Sequence, residues 1–225
     1  MSLTADQVQA MMTQDFSQLE KNNNKKDLCQ FISHLRSRVE ELESYKLISK
    51  RVQMLEKTLV SHLQYNRRES IEIHNLPPAV KDDELEAKCL EVLEDIGCGK
   101  IKKSKVHACH RMKNRDKTII RFVNRKFADL ALHNKAKLKN VDKTKYGLAQ
   151  GKNLYINENL CPPMQFLSYK IREAKKAKKI ETFNIWKGKL SIKMGPNDRD
   201  IPIRHIQDLI DINLASEDDR EGFII

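Results

Sequence analysis

The sequence predicts an α+β protein in three parts: an N-terminal helix suited to a parallel coiled coil, a βαββαβ domain, and a small basic α+β domain. Three observations carry this reading. Between Leu28 and Leu59 apolar residues recur at spacings that alternate between four and three, with one slip. From Lys117 to Leu132, KTIIRFVNRKFADLAL, the pattern passes from two-residue alternation to helical spacing almost without a turn. Beyond Pro162-Pro163 a lysine-rich helix precedes two alternating segments joined by Lys187-Gly188. The ranges are 1–65 for the coiled coil, 66–160 and 161–212 for the two domains, and 213–225 for an acidic tail.

Thr4 and Gln7 have capping-box spacing and open a short helix through Val8, Met12, Phe16 and Leu19, which Asn22-Asn23-Asn24 interrupts. The heptad seam then takes Leu28, Ile32, Leu35, Val39 and Leu42. It slips by one residue and resumes as Tyr45, Ile48, Val52, Leu55 and Leu59, which should disturb the supercoil locally. At about 1.5 Å per residue, a helix from Asp27 to Tyr65 is roughly 60 Å long. Such a rod cannot bury its stripe alone. Two hexads lie in phase with the seam, RVEELE from Arg38 to Glu43 and RVQMLE from Arg51 to Glu56. In each, Arg takes position g and Glu position e, so the charges of neighbouring parallel helices can bridge over the seam. Both resemble the R-h-x-x-h-E motif of trimeric coiled coils, which makes a trimer the first expectation and a dimer the second.

Arg67-Arg68 closes the rod and leads into a strand, Ile71-Glu72-Ile73-His74-Asn75-Leu76, ended by Pro77-Pro78. Lys81 to Ile96 is an amphipathic helix stopped at Gly97. Val106 to Met112 is a second strand. In the third, alternation turns Ile120 and Phe122 toward a helix and leaves Lys117, Ile119 and Arg121 on the opposite face, too basic to be core. Phe127, Leu130 and Ala131 mark the helix that follows. Lys135, Lys137, Lys139, Lys143 and Lys145 then form a basic loop before a fourth strand, Asn153 to Asn157. A helix from Met164 to Lys179, a hairpin of Phe183–Trp186 and Lys189–Met194, Ile201-Pro202-Ile203 and a helix through Ile206, Leu209 and Ile210 complete the chain. Trp186, at the hairpin end, is expected to pack in the core.

Net charge is +11, and it is concentrated. Residues 1–65 carry 9 Lys+Arg against 8 Asp+Glu, whereas residues 99–152 carry 17 against 3. The partner implied is a polyanion. Residues 206–225 reverse the sign, with 1 Arg against 6 acids, and read as a short helix and a tail that repels the polyanion. Five cysteines without a C-x-x-C pair argue against a disulfide framework or zinc knuckle and for a reducing compartment. No apolar run reaches membrane-spanning length and no signal-peptide core opens the sequence, so an intracellular protein without a membrane partner is expected.

The strand IEIHNLP has the register of the first ribonucleoprotein motif of an RNA-recognition module, and TIIRFVNRKFADLAL follows the run of its third strand and second helix. The base-stacking aromatics of such modules are replaced by Glu72, Lys117 and Ile119. With its flanks, the chain resembles the first open-reading-frame protein of LINE-type non-LTR retrotransposons, which joins a coiled coil, a divergent RNA-recognition fold and a small basic C-terminal domain. The C-terminal region is also similar to baculovirus few-polyhedra proteins and their insect transposon relatives. That similarity rests on His110-Arg111, Tyr155-Ile156-Asn157-Glu158, Arg172, Trp186-x-Gly188-Lys189 and Lys193.

The resemblance implies a homotrimer that coats element RNA in cytoplasmic ribonucleoprotein particles, with the nucleus as second compartment, and acts as a nucleic-acid chaperone. It puts nucleic-acid contacts at Arg111 and Arg121, on adjacent central strands, with Tyr155 stacking on the same face. Arg67, Arg68, Lys105, Lys117, Lys137, Lys139 and Lys193 are further basic candidates. Lys170, Arg172, Lys175 and Lys176 supply the other wall of a phosphate-lined cleft. Such a surface grips backbone and reads little sequence, so single-stranded RNA is the first ligand and single-stranded DNA the second. No cofactor or metal is expected: His107, Cys109 and His110 alternate between strand faces. Asp82, Asp83, Glu84 and Glu86 read as a charged first helical turn rather than a nuclease site, and no phosphate-binding glycine loop occurs. The rival reading is a coiled-coil structural or virion-assembly protein of the few-polyhedra type; an enzyme ranks last.

Overall fold

The computed structural model describes residues 25–112, 117–142, 144–148 and 151–223. The helix expected through Val8 to Leu19 lies outside them, as does Lys143 of the basic loop. The chain divides into two units, Met1–Met54 and Leu55–Ile225. The described part of the first belongs to α1 (Lys25–Tyr65), whose last turns fall in the second. In the first unit Ile32, Val39, Leu42, Tyr45, Ile48 and Val52 are exposed, an apolar stripe left in water.

The second unit contains two antiparallel sheets. The larger comes from β1 (Ser70–His74), α2 (Asp82–Leu93), β2 (Val106–Arg111), β3 (Lys117–Phe122), α3 (Arg125–Asn134) and β4 (Tyr155–Glu158), with strand order β2-β3-β1-β4. Ile71, Ile73, Ile120, Phe122 and Ile156 point to the helix layer, where they meet Leu85, Cys89, Val92, Ala128 and Ala131. Each fully buried Ile or Phe contributes about 1.5–3 kcal/mol relative to exposure. Acidic Asp82, Asp83 and Glu84 complement the N-terminal end of α2. Within the wide turn Glu94–Cys98 that follows, Gly97 takes φ 84° and ends the helical path. Asn124 caps α3 by accepting from Lys126 N at 2.9 Å.

The smaller sheet has the order β5-β6-β7. Its strands are β5 (Thr182–Trp186), β6 (Lys189–Lys193) and β7 (Ile201–Ile203). Lys187 and Gly188, with φ of 54° and 71°, give the two positive torsions of a type I′ hairpin turn. Leu190, Ile192 and Ile203 pack against Met164, Leu167 and Ile171 of α4 (Pro162–Lys176) and against Ile206 and Leu209 of α5 (Ile206–Ile210).

Two sequence expectations change here. The globular unit does not begin at residue 66 but takes in the end of α1. Val60 is buried in the second core, Lys57 pairs with Asp208 at 2.8 Å, and Glu56 Oε2 lies 2.8 Å from Nε2 of the buried His205. Glu56 is therefore engaged within its own chain, whereas Arg38, Glu43 and Arg51 remain on α1 of the first unit. Nor is the acidic C-terminal segment a loose tail. Ser216 and Asp219 cap a turn at Glu217–Arg220, Asp219 pairs with Lys170 at 2.6 Å, and Phe223 is buried with its ring edge against His205.

Candidate nucleic-acid interface

The face of the larger sheet away from α2 and α3 carries three cross-strand rows. Arg121 lies beside Ser70, Ile119 beside Glu72 and then Asn157, and Lys117 beside His74 and then Tyr155. β2 adds Ala108 opposite Arg121 and His110 opposite Ile119. Arg121 and Tyr155 thus share the open face, as alternation requires, at opposite corners.

Arg111 does not join them. β2 is an edge strand, and a bulge between Val106 and Ala108 inserts an extra residue that shifts its phase. Cys109 and Arg111 consequently face the helices with Ile120 and Thr118. The Arg111 side chain is 8% exposed, and its guanidinium donates to the carbonyls of Leu76 at 3.1 Å, Pro77 at 2.7 Å and Val80 at 3.0 Å. It ties down the loop after β1, and its expected role as a nucleic-acid contact is withdrawn.

A cleft of about 390 Å³ opens between the sheet face and the C-terminal layer. Its floor holds Glu72, His74, Lys117 and Asn157; Lys135 stands at one rim; Gln165, Ser168 and Arg172 of α4 and Phe183, Asn184 and Ile185 of β5 form the other wall. Ser168, Arg172 and Gln165 are spaced by three, four and seven, so they share one side of the helix. Ser168 is 2% exposed, and its Oγ makes no hydrogen bond among the described residues. The cationic part of the lining is Lys117, Lys135 and Arg172.

Glu72, an acid on a basic face, is neutralised locally. Its Oε2 lies 3.0 Å from His74 Nε2 and 3.5 Å from Lys117 Nζ. Burial works to raise its pKa, but the His74 hydrogen bond and the Lys117 charge outweigh burial and hold it below the usual carboxylate value. Glu158 goes the other way: burial pushes it up, only partly offset by hydrogen bonds from the Gly188 and Lys187 backbone.

The remaining sequence candidates separate. Lys170 is two positions from Arg172, hence turned roughly 160° away around α4, and is held by Asp219 at 2.6 Å. It belongs to the far side of the helix. Lys175 and Lys176 are exposed at the C-terminal end of α4. Arg67 is turned inward, donating to Asn159 Oδ1 at 3.1 Å and Leu160 O at 3.2 Å, and Arg68 lines the same polar junction. Lys105, Lys137 and Lys139 are exposed, with Lys139 beside Tyr155 in a shallow groove along β4. Lys193 lies on the face of the small sheet opposite Leu190 and Ile192, as does Trp186, which is 40% exposed rather than in the core. Lys145, of the basic loop, is paired with Asp95 at 2.7 Å and Glu91 at 3.1 Å.

Of the basic candidates named from sequence, only Lys117 and Arg172 line the cleft. Lys135 was named only as part of the basic loop, and His74, Gln165 and Ser168 were not expected as contacts; the sole signal for Ser168 was its place one helical turn before Arg172. Compared with known proteins, the chain matches no protein-family model, and no curated protein matches it significantly.

Proposed function

We propose that this chain is a non-enzymatic binding protein for single-stranded RNA, with single-stranded DNA as second ligand, built on a divergent RNA-recognition-type βαββαβ domain. The observation that supports the reading is the cleft beside the open sheet face whose lining includes Lys117, Lys135 and Arg172. Cations suit phosphate oxygens, which carry no base identity, so binding is salt-dependent and tolerant of sequence. Phe183 in the wall and the half-exposed Tyr155 beyond the floor offer rings to unstacked bases. The exposed stripe of α1 supports self-association into a parallel coiled coil, with a trimer preferred. Several weak heads on one rod raise avidity without locking a single duplex, which suits a nucleic-acid chaperone of a LINE-type element working in ribonucleoprotein particles.

Photo-crosslinking tests the location. A 4-thiouridine-substituted RNA irradiated with the full chain should leave adducts on peptides bearing Phe183 or Tyr155. Adducts confined to other peptides would remove the cleft from the account. No adduct at all, at low salt, would favour a coiled-coil assembly protein instead.

A further inference from the structure

Cys89 of α2 and Cys109 of β2 bring their Sγ atoms to 3.7 Å across the seam between the helix layer and the edge strand. The other cysteines lie elsewhere: Cys29 is exposed on α1, Cys98 is buried with its sulfur 3.9 Å from Asn134 Nδ2, and Cys161 is buried at the start of α4. The pair is asymmetric. Cys89 is fully buried, whereas Cys109 keeps part of its surface in solvent. The hydrogen bond with Cys89 lowers the Cys109 thiol against burial and Glu86, the same hydrogen bond and burial raise Cys89, and the Arg111 charge lowers both. A partly accessible thiol within reach of a buried one is the arrangement of an attacking and a resolving cysteine.

We propose that Cys109 and Cys89 form a dithiol modification site for peroxide-class oxidants, in which Cys109 reacts first and Cys89 closes a reversible disulfide between β2 and α2. The Cys109 thiolate attacks one peroxide oxygen and the O–O bond breaks, leaving a sulfenic acid on Cys109 and a hydroxide. The hydroxide takes the Cys89 proton and leaves as water. The Cys89 thiolate then attacks the Cys109 sulfur, the S–S bond forms, the S–O bond breaks, and the sulfenic hydroxyl leaves as a second water with the proton that Cys109 gave to solvent on ionising. Two thiols lose two electrons in total, and the peroxide gains them. The sulfurs must approach by about 1.7 Å to reach bonding distance. The link pins an edge strand that, among the described residues, pairs with β3 alone. It lies on the helix side of the sheet, away from the cleft, so the inference does not depend on the RNA reading.

The test is peptide mapping of the full chain after reduction, removal of reductant and a short exposure to hydrogen peroxide, with exposed Cys29 reporting that the oxidant acted. The expected product is a linked peptide pair containing Cys89 and Cys109, lighter by two hydrogens and restored by dithiothreitol. In Cys89→Ser, Cys109 should instead be trapped as its sulfenic acid by a dimedone-type reagent. The proposal fails if Cys89 and Cys109 both stay reduced while Cys29 is oxidised. It fails equally if Cys109 in the wild type passes to sulfinic acid without linking.

Discussion

Gln64, near the end of α1, accepts a hydrogen bond from the backbone N–H of Cys161, 97 residues later, at 2.8 Å. Its Nε2 also donates to Asn159 O at 3.1 Å, and the side chain is 5% exposed. The helix end is thereby fixed to the segment joining β4 to α4, the segment that sets the two walls of the cleft apart. Gly188 of the hairpin turn closes over the same side chain: a Cβ there would meet Gln64 Cγ at 2.5 Å, on a backbone already at φ 71°.

Gln64→Ala should destabilise the second unit by about 2–4 kcal/mol, since it strands a buried N–H and a buried carbonyl. Gly188→Ala should cost a comparable amount through strain and collision. Because the two residues touch, the double variant should lose less than the summed single effects. Urea unfolding of the four proteins measures this directly.

Arg111→Ala should cost about 2–3 kcal/mol of stability, as three carbonyls lose a charged donor. Near physiological temperature the folded fraction should retain the wild-type salt dependence of RNA binding. A variant with normal stability and a reduced salt slope would return Arg111 to the interface.

The contrast between Arg111 and Arg121 shows how far the sequence could be read. Isoleucine and phenylalanine alternation in β3 placed Ile120, Phe122 and Arg121 on their faces, because each residue's neighbours in sequence decide the pleat. The exposed stripe from Ile32 to Val52 and the Lys187-Gly188 turn were legible for the same reason: heptad spacing and turn chemistry are local. β2 was not. Val106 and Ala108 look like one apolar face, but the bulge between them reverses the phase, and nothing within the strand marks it. The engagement of Glu56 by His205 and of Lys170 by Asp219 was equally hidden, since both depend on contacts between distant segments. Charge density located the basic half of the chain and left open which lysines face a common space.

Glu72 gives the unit an acid-side dependence. Its folded pKa lies below the ordinary value of 4.5, so its contribution is full above that value and is lost as pH falls through the lower folded value. Unfolding free energy should therefore drop between neutral and strongly acid pH by more in the wild type than in Glu72→Gln. Equal pH profiles for the two proteins would show that the His74 and Lys117 contacts do not persist in solution.

Leu42→Glu places a charge in the middle of the exposed α1 stripe. If that stripe is the self-association surface, the variant should sediment as a monomer at concentrations where the wild type is oligomeric. Its far-UV spectrum should also lose helical signal, because a lone helix of this kind is only marginally stable. A wild-type protein that sediments as a monomer at high concentration would remove the oligomer from the account.

Whether the proposed cleft between the open sheet face and α4 holds a phosphate backbone is read out by fluorescence anisotropy of a labelled single-stranded oligoribonucleotide against salt concentration, for wild type and Arg172→Ala. Wild-type binding should weaken steeply with salt. Arg172→Ala should bind more weakly across sequences, with the log–log slope reduced by about 0.7 for one lost phosphate contact on a single strand. No binding at low salt, or an Arg172→Ala protein with wild-type affinity and slope, would contradict that proposal.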